Sequence, residues 1–144
     1  MFTPNNVITV ETLGRCITAL CKDTAPGPNN VANEHVIHSH PILVSILARF
    51  YNLVILSCYV PAVFTCSYTV PIPKASLSST VCSTDDYRGI AVTSILAKLF
   101  EACILEIYNN YLTSADCQFG FKPELGCQHA IHTLKATVDR FVKG

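Results

Sequence analysis

The sequence predicts an α+β fold, mainly helical, with one small β-hairpin. Two patterns lead to this expectation. Apolar residues recur at three- and four-residue steps over several stretches, which is the helical period. Two short runs rich in β-branched and aromatic residues flank a Ser/Thr-rich segment, the pattern of paired strands around a long loop. At 144 residues the chain has room for one domain with a modest core, and residues 1–144 read as a single partial domain.

Taken in order, Val10, Leu13, Ile17 and Leu20 predict a short amphipathic helix over residues 10–21. The turn-forming run Ala25-Pro26-Gly27-Pro28-Asn29-Asn30 must end it. Asn33 is expected to cap a brief turn through His38, and His40-Pro41 opens an apolar helix, since proline is tolerated in a first turn. In that helix Ser45, Ala48, Arg49 and Asn52 form a polar or small stripe, with Leu43, Ile46, Leu47, Phe50 and Val54 opposite. Pro61 closes it. Tyr68–Ile72 and Arg88–Val92 are the two expected strands, joined by a loop over Ala75–Thr84. The longest helical pattern runs from Ile95 through Leu99, Phe100, Cys103, Ile104, Ile107 and Tyr108 to Tyr111 and Leu112. A loop over Ala115–Gly126 follows, and Ala130, Ile131, Leu134, Val138, Phe141 and Val142 predict a terminal helix.

Half of the residues are hydrophobic and 14% are charged, a greasy composition for a soluble domain. The apolar stripes on residues 42–58 and 92–112 exceed what a small domain buries alone, so self-association is expected. Ten basic and ten acidic residues cancel, and the net basic footprint of an autonomous nucleic-acid binder is missing. Arg49 and Asn52 interrupt the apolar run Ile42–Phe64, which reads as a core helix rather than a membrane span. The opening Met1-Phe2-Thr3-Pro4-Asn5-Asn6 lacks the basic start and apolar core of a secretory signal. The eight cysteines are scattered, with Cys16, Cys58 and Cys103 in apolar runs, which points to an intracellular chain with free, partly buried thiols.

Four short blocks in the second half carry the functional signal: Val70-Pro71-Ile72-Pro73-Lys74, Asp86-Tyr87-Arg88-Gly89-Ile90, Lys98-Leu99-Phe100-Glu101 and Gln118-Phe119-Gly120-Phe121-Lys122. Together with Ala25-Pro26-Gly27-Pro28-Asn29-Asn30 upstream, their order and spacing resemble the fingers region of reverse transcriptases from non-LTR (LINE-like) retrotransposons. The resemblance runs from about Leu20 to the C-terminus. It implies a mainly helical, fingers-type fragment with the palm catalytic core absent, because the chain stops before the blocks in which the family carries its catalytic aspartates.

Triphosphate recognition needs donors aimed at phosphate oxygens, and Lys supplies a compact cation where Arg supplies a planar fork. On composition alone Lys74 and Arg88 are solvated surface cations. The resemblance implies instead that both contact the phosphates of the incoming nucleotide, although Gly89 stands where the family usually has proline. It likewise implies that Gln118, Phe119, Gly120, Phe121 and Lys122 help position the template; ordinary core anchoring by Phe119 and Phe121 stands beside that reading. Here Glu124 and Leu125 depart from the family's continuation, and a carboxylate is a poor neighbour for a phosphodiester.

Cys127, His129 and His132 form a Cys-x-His-x-x-His cluster without a paired Cys-x-x-Cys, so no metal site is expected. His35, His38 and His40 read as a polar loop. Asp85-Asp86, the one adjacent carboxylate pair, lacks the apolar strand flanks of a polymerase metal site, and no catalytic residue is assigned. The expectation is a fragment of an RNA-directed DNA polymerase, a nucleotidyltransferase, that is inactive alone and binds no cofactor. The family's Mg²⁺, template-primer and nucleoside triphosphates would belong to the complete enzyme. The alternatives are a non-catalytic nucleic-acid or protein binding module, or a remnant of a decayed element.

Overall fold

The computed structural model describes residues 7–74, 83–115, 118–120, 122 and 124–143. They fall into two compact units, Met1–Asn109 and Asn110–Gly144. The first unit contains α1 (Val10–Thr18), α2 (Asn33–Ile37), α3 (Ile42–Ser57), α4 (Ala62–Thr65), β1 (Ser67–Pro73), a 3₁₀ turn (Thr84–Asp86), β2 (Tyr87–Thr93) and α5 (Ile95–Tyr108). The second contains α6 (Cys127–Lys143). The α+β character, mainly helical with one hairpin, is the one the sequence predicts.

Helices α1 and α5 start where a short polar side chain can satisfy an orphan main-chain donor. Thr9 accepts from the Thr12 N–H at the start of α1, and the buried Ser94 accepts from the Ala97 N–H at the start of α5. Asn33 does not cap α2 as expected. It is the first helical residue, and its amide donates to the Cys21 carbonyl at 2.7 Å. The ring of His35 supplies the cap, accepting the Ala32 N–H through Nδ1. Helix α1 ends at Thr18 and not at residue 21, and α5 ends at Tyr108, leaving Tyr111 and Leu112 beyond it. The single turn α4 is absent from the expectation. Pro61 both ends the preceding segment and starts α4, since its fixed φ suits the entrance of a helix.

The core lies between α1, α3 and α5. Leu13, Cys16 and Ile17 of α1 meet Leu47, Ala48 and Tyr51 of α3 and Ile95, Leu99 and Cys103 of α5. Tyr51 is fully buried, and its ring packs with Phe50, Phe64 and Phe100 at centroid distances of 5.6, 6.4 and 5.4 Å. Its hydroxyl donates to the Leu96 carbonyl at 2.9 Å. Burial pushes the phenol's pKa up, so it stays a neutral donor.

The stripe on α3 that reads as polar turns partly inward. Asn52 is buried and holds the extended backbone at Ile8 as a strand partner would. Its Oδ1 accepts the Ile8 N–H at 3.0 Å, and its Nδ2 donates to the Ile8 carbonyl at 2.7 Å and to the Ala48 carbonyl at 2.8 Å. A buried amide so fully used specifies register as well as packing. In exchange, Ile42, Ile46, Leu53 and Leu56 lie exposed on the outer side of α3. Cys58, expected in an apolar run, is also exposed and ends α3 in the left-handed conformation (φ 50°).

A surface ion pair closes the far side of the core. Arg15 of α1 donates from Nε to Glu106 Oε1 of α5 at 2.7 Å, and the second oxygen of Glu106 accepts the Cys16 thiol at 3.3 Å. The Arg15 guanidinium, followed by the Cys16 thiol, holds the Glu106 carboxyl below its ordinary 4.5.

Replacing Asn52 by Ala leaves the Ile8 N–H and carbonyl unpaired, and is expected to cost about 2–4 kcal/mol in urea denaturation. A loss under about 1 kcal/mol would mean that water replaces the amide. For Glu106, the lowered folded pKa gives a contribution that is complete above the unfolded value near 4.5 and is lost as the pH falls through the folded value. The melting temperature of the wild type should therefore exceed that of Glu106→Gln at neutral pH, with the gap closing below 4.5. A gap independent of pH would show that the carboxylate's charge plays no part.

Candidate functional site

Strands β1 and β2 pair antiparallel from Ser67 opposite Thr93 to Pro73 opposite Tyr87. The predicted strand ends coincide with this register, Tyr68 facing Val92 and Ile72 facing Arg88. One further main-chain bond, Lys74 N–H to the Asp86 carbonyl at 2.8 Å, extends the ladder past Pro73. Residues directly opposite each other in an antiparallel pair share a face, and side chains alternate along each strand. Tyr68, Val70, Ile72 and Lys74 therefore line one face with Arg88, Ile90 and Val92. Lys74 and Arg88 are diagonal neighbours on it, a relation that puts Cβ atoms about 7–8 Å apart or somewhat less. Both side chains are exposed.

The Lys74 ammonium donates to the Asp85 main-chain carbonyl rather than forming an ion pair with Asp85 or Asp86. The Asp86 carboxylate instead accepts the Ser83 N–H at 2.9 Å, which fixes the 3₁₀ turn that leads into β2. Gly89 lies opposite Pro71, where Pro71 has no N–H to give to the ladder. Residues 75–82, the greater part of the expected hairpin loop, lie outside the described residues.

The base of the hairpin is fixed by the Ala25–Asn30 turn, a role the sequence reading did not assign. Gly27 is buried against the end of β2, where a Cβ would stand 2.5 Å from the Thr93 carbonyl oxygen and 2.8 Å from Ser94 Cα. These are main-chain atoms and yield little. The Tyr68 hydroxyl donates to the Pro26 carbonyl at 2.6 Å, and the Asn30 N–H closes the turn on the Gly27 carbonyl. The one signal available in the sequence is a glycine held between two prolines, Pro26 and Pro28.

In the second unit, Gln118 and Lys122 are engaged within their own loop. The Gln118 side-chain amide donates to the Gly120 carbonyl at 3.0 Å, and the Lys122 ammonium to the Ala115 carbonyl at 2.7 Å. Phe119 is half-buried and Gly120 exposed; Phe121 lies outside the described residues. Glu124 adopts the left-handed conformation (φ 61°) just before α6. Of the Cys-x-His-x-x-His cluster, Cys127 is exposed and His129 Nδ1 accepts the Gly126 N–H, so its ring caps α6. Among the described residues no three His, Cys, Asp or Glu side chains converge as metal ligands. No helix among the described residues is long and apolar enough to cross a membrane.

Gly27→Ala is expected to displace the hairpin base, costing about 1–3 kcal/mol on denaturation and speeding amide exchange in β1 and β2. Unchanged exchange in both strands would show that the turn does not support them.

No family model matches the chain. Over 139 residues it is 28% identical to the probable RNA-directed DNA polymerase from transposon BS of Drosophila melanogaster, a match that covers 93% of this chain and 15% of that protein. This similarity supports a relationship between the chain and transposon-encoded reverse transcriptases.

Proposed function

We propose that the chain is the fingers-type part of a non-LTR retrotransposon reverse transcriptase, and that its hairpin engages the phosphates of an incoming nucleoside triphosphate. The observation that carries this reading is the register that sets Lys74 and Arg88 on one exposed hairpin face. Similarity to a transposon polymerase along nearly the whole chain supports it independently. Arg88 offers a planar fork for two phosphate oxygens, and Lys74 a point charge beside it. Val70, Ile72 and Ile90 supply an apolar floor on the same face. Lys74 would exchange its main-chain partner for phosphate. The loop Gln118–Lys122 has the template-facing role in this proposal, and the polymerase's metal ions and template-primer belong with the complete enzyme.

Nucleoside triphosphate is expected to bind the isolated chain in the millimolar range, about −4 kcal/mol. Arg88→Ala should abolish that binding without changing the melting temperature, because the side chain is exposed. Titration calorimetry of both proteins decides the matter, and equal affinities would overturn the proposal. With primer, template, nucleotides and Mg²⁺ or Mn²⁺, the chain alone is expected to give no extension, since among the described residues no three His, Cys, Asp or Glu side chains converge as metal ligands.

A further inference from the structure

A pair of buried cysteines lies outside the hairpin and plays no part in nucleotide binding. Cys16 of α1 is 7% exposed and Cys103 of α5 is fully buried, with their sulfurs 3.7 Å apart. The Cys103 thiol donates toward Cys16 Sγ, and the Cys16 thiol donates in turn to Glu106 Oε2 at 3.3 Å. Arg15 pins that carboxylate from its other oxygen. The four residues make a chain from a sealed thiol to a solvent-facing carboxylate. Both cysteines are free, and 87 residues separate them.

We propose that Cys16 and Cys103 are an oxidisable dithiol that closes to an intrachain disulfide under peroxide and pins α1 to α5. The sulfurs already touch, and they need to approach by about 1.7 Å to reach bonding distance. In the first step the Cys16 sulfur attacks one peroxide oxygen and the O–O bond breaks. Water leaves, and Cys16 becomes the sulfenic acid. The Cys103 sulfur then attacks Cys16 Sγ and displaces its hydroxyl. That hydroxyl leaves as water with the Cys103 proton, so two thiols and one peroxide give one disulfide and two waters. Cys16 reacts first because it alone of the two has any exposed surface.

Burial sets the rate and the selectivity. Desolvation, reinforced by the hydrogen bond to Glu106, raises the Cys16 thiol pKa to about 12, and desolvation raises that of Cys103 as well. Little thiolate is present at neutral pH, so reaction is slow and quickens as the pH rises. The exposed Cys21, Cys58, Cys66 and Cys127 are open to bulky alkylating reagents that the pair excludes.

The test is direct. The full chain is reduced, freed of reductant, treated with hydrogen peroxide, alkylated after denaturation and mapped by mass spectrometry without reduction. In the monomer fraction, a Cys16–Cys103 linked peptide is expected, with a loss of about 2 Da relative to the two thiols. The melting temperature should rise by about 5 °C or more and return on adding dithiothreitol, since the link closes a long loop. Glu106→Gln should quicken linkage several-fold, since the carboxylate keeps the Cys16 thiol protonated, while leaving the end-point shift in place. Cys103→Ser should remove the link and the shift; if that variant does not fold, the wild-type map decides alone. Recovery of Cys16 and Cys103 as thiols after the exposed cysteines have oxidised would overturn the proposal. So would linkage of Cys16 to another cysteine, its conversion to sulfonic acid, or a disulfide that leaves the melting temperature unchanged.

Discussion

The first unit is organised around the hydroxyl of Tyr51, a polar atom placed where only apolar atoms would otherwise fit. Its ring fills the space between α3, α4 and α5, in contact with Phe50, Phe64 and Phe100. Its oxygen then reaches the Leu96 carbonyl in the first turn of α5. A phenylalanine would fill the same volume but leave the position of α5 along its own axis free. The hydrogen bond fixes that position, and with it Ser94, Thr93 and the base of β2. Gly27 closes against those same atoms, so the hairpin is anchored at the end opposite its loop.

Asn52, one residue along α3, performs a second task of the same kind on the chain entering α1. The result is a scaffold in which neighbouring residues of one helix locate two separate segments. The hairpin itself contributes almost nothing to this core. Its residues are mostly exposed, and one of its faces carries Lys74 and Arg88 beside Val70, Ile72 and Ile90. Such a division means that changes on the hairpin's outer face leave the packing below undisturbed.

Much of this arrangement is legible in the sequence. The helical periods of α3, α5 and α6 and the composition of the two strands locate these elements within a few residues, because in each case the pattern extends over several turns or a full strand. Other features depend on long-range partners that no local pattern reports. Asn52 belongs to a stripe of small and polar residues, and only the backbone at Ile8 draws it inward. Ala19 to Cys21 continue the apolar period of α1, yet the chain must turn there so that Asp23, at φ 57°, can donate its N–H to Glu34. His35, His38 and His40 read as a polar loop and no metal site is expected at His129 and His132; the sequence does not report that the rings of His35, His40 and His129 accept main-chain N–H groups at helix starts. For Lys74 and Arg88 the strand composition locates the two arms, and the register of the pairing then sets both on one face.

The ion pair between Arg15 and Glu106 spans 91 positions, and the other contacts of α1 with α5 span nearly as many. A chain emerging from a ribosome exposes α1 long before α5 exists to receive it. During that interval Leu13 and Ile17 have α2 and α3 but not α5 to pack on, and the Asn52 clamp is the sole polar tether described between α3 and the chain just before α1. The order of synthesis thus gives α3 the role of a holding surface. The closed state of the unit becomes available only when translation has passed the hairpin and reached Glu106.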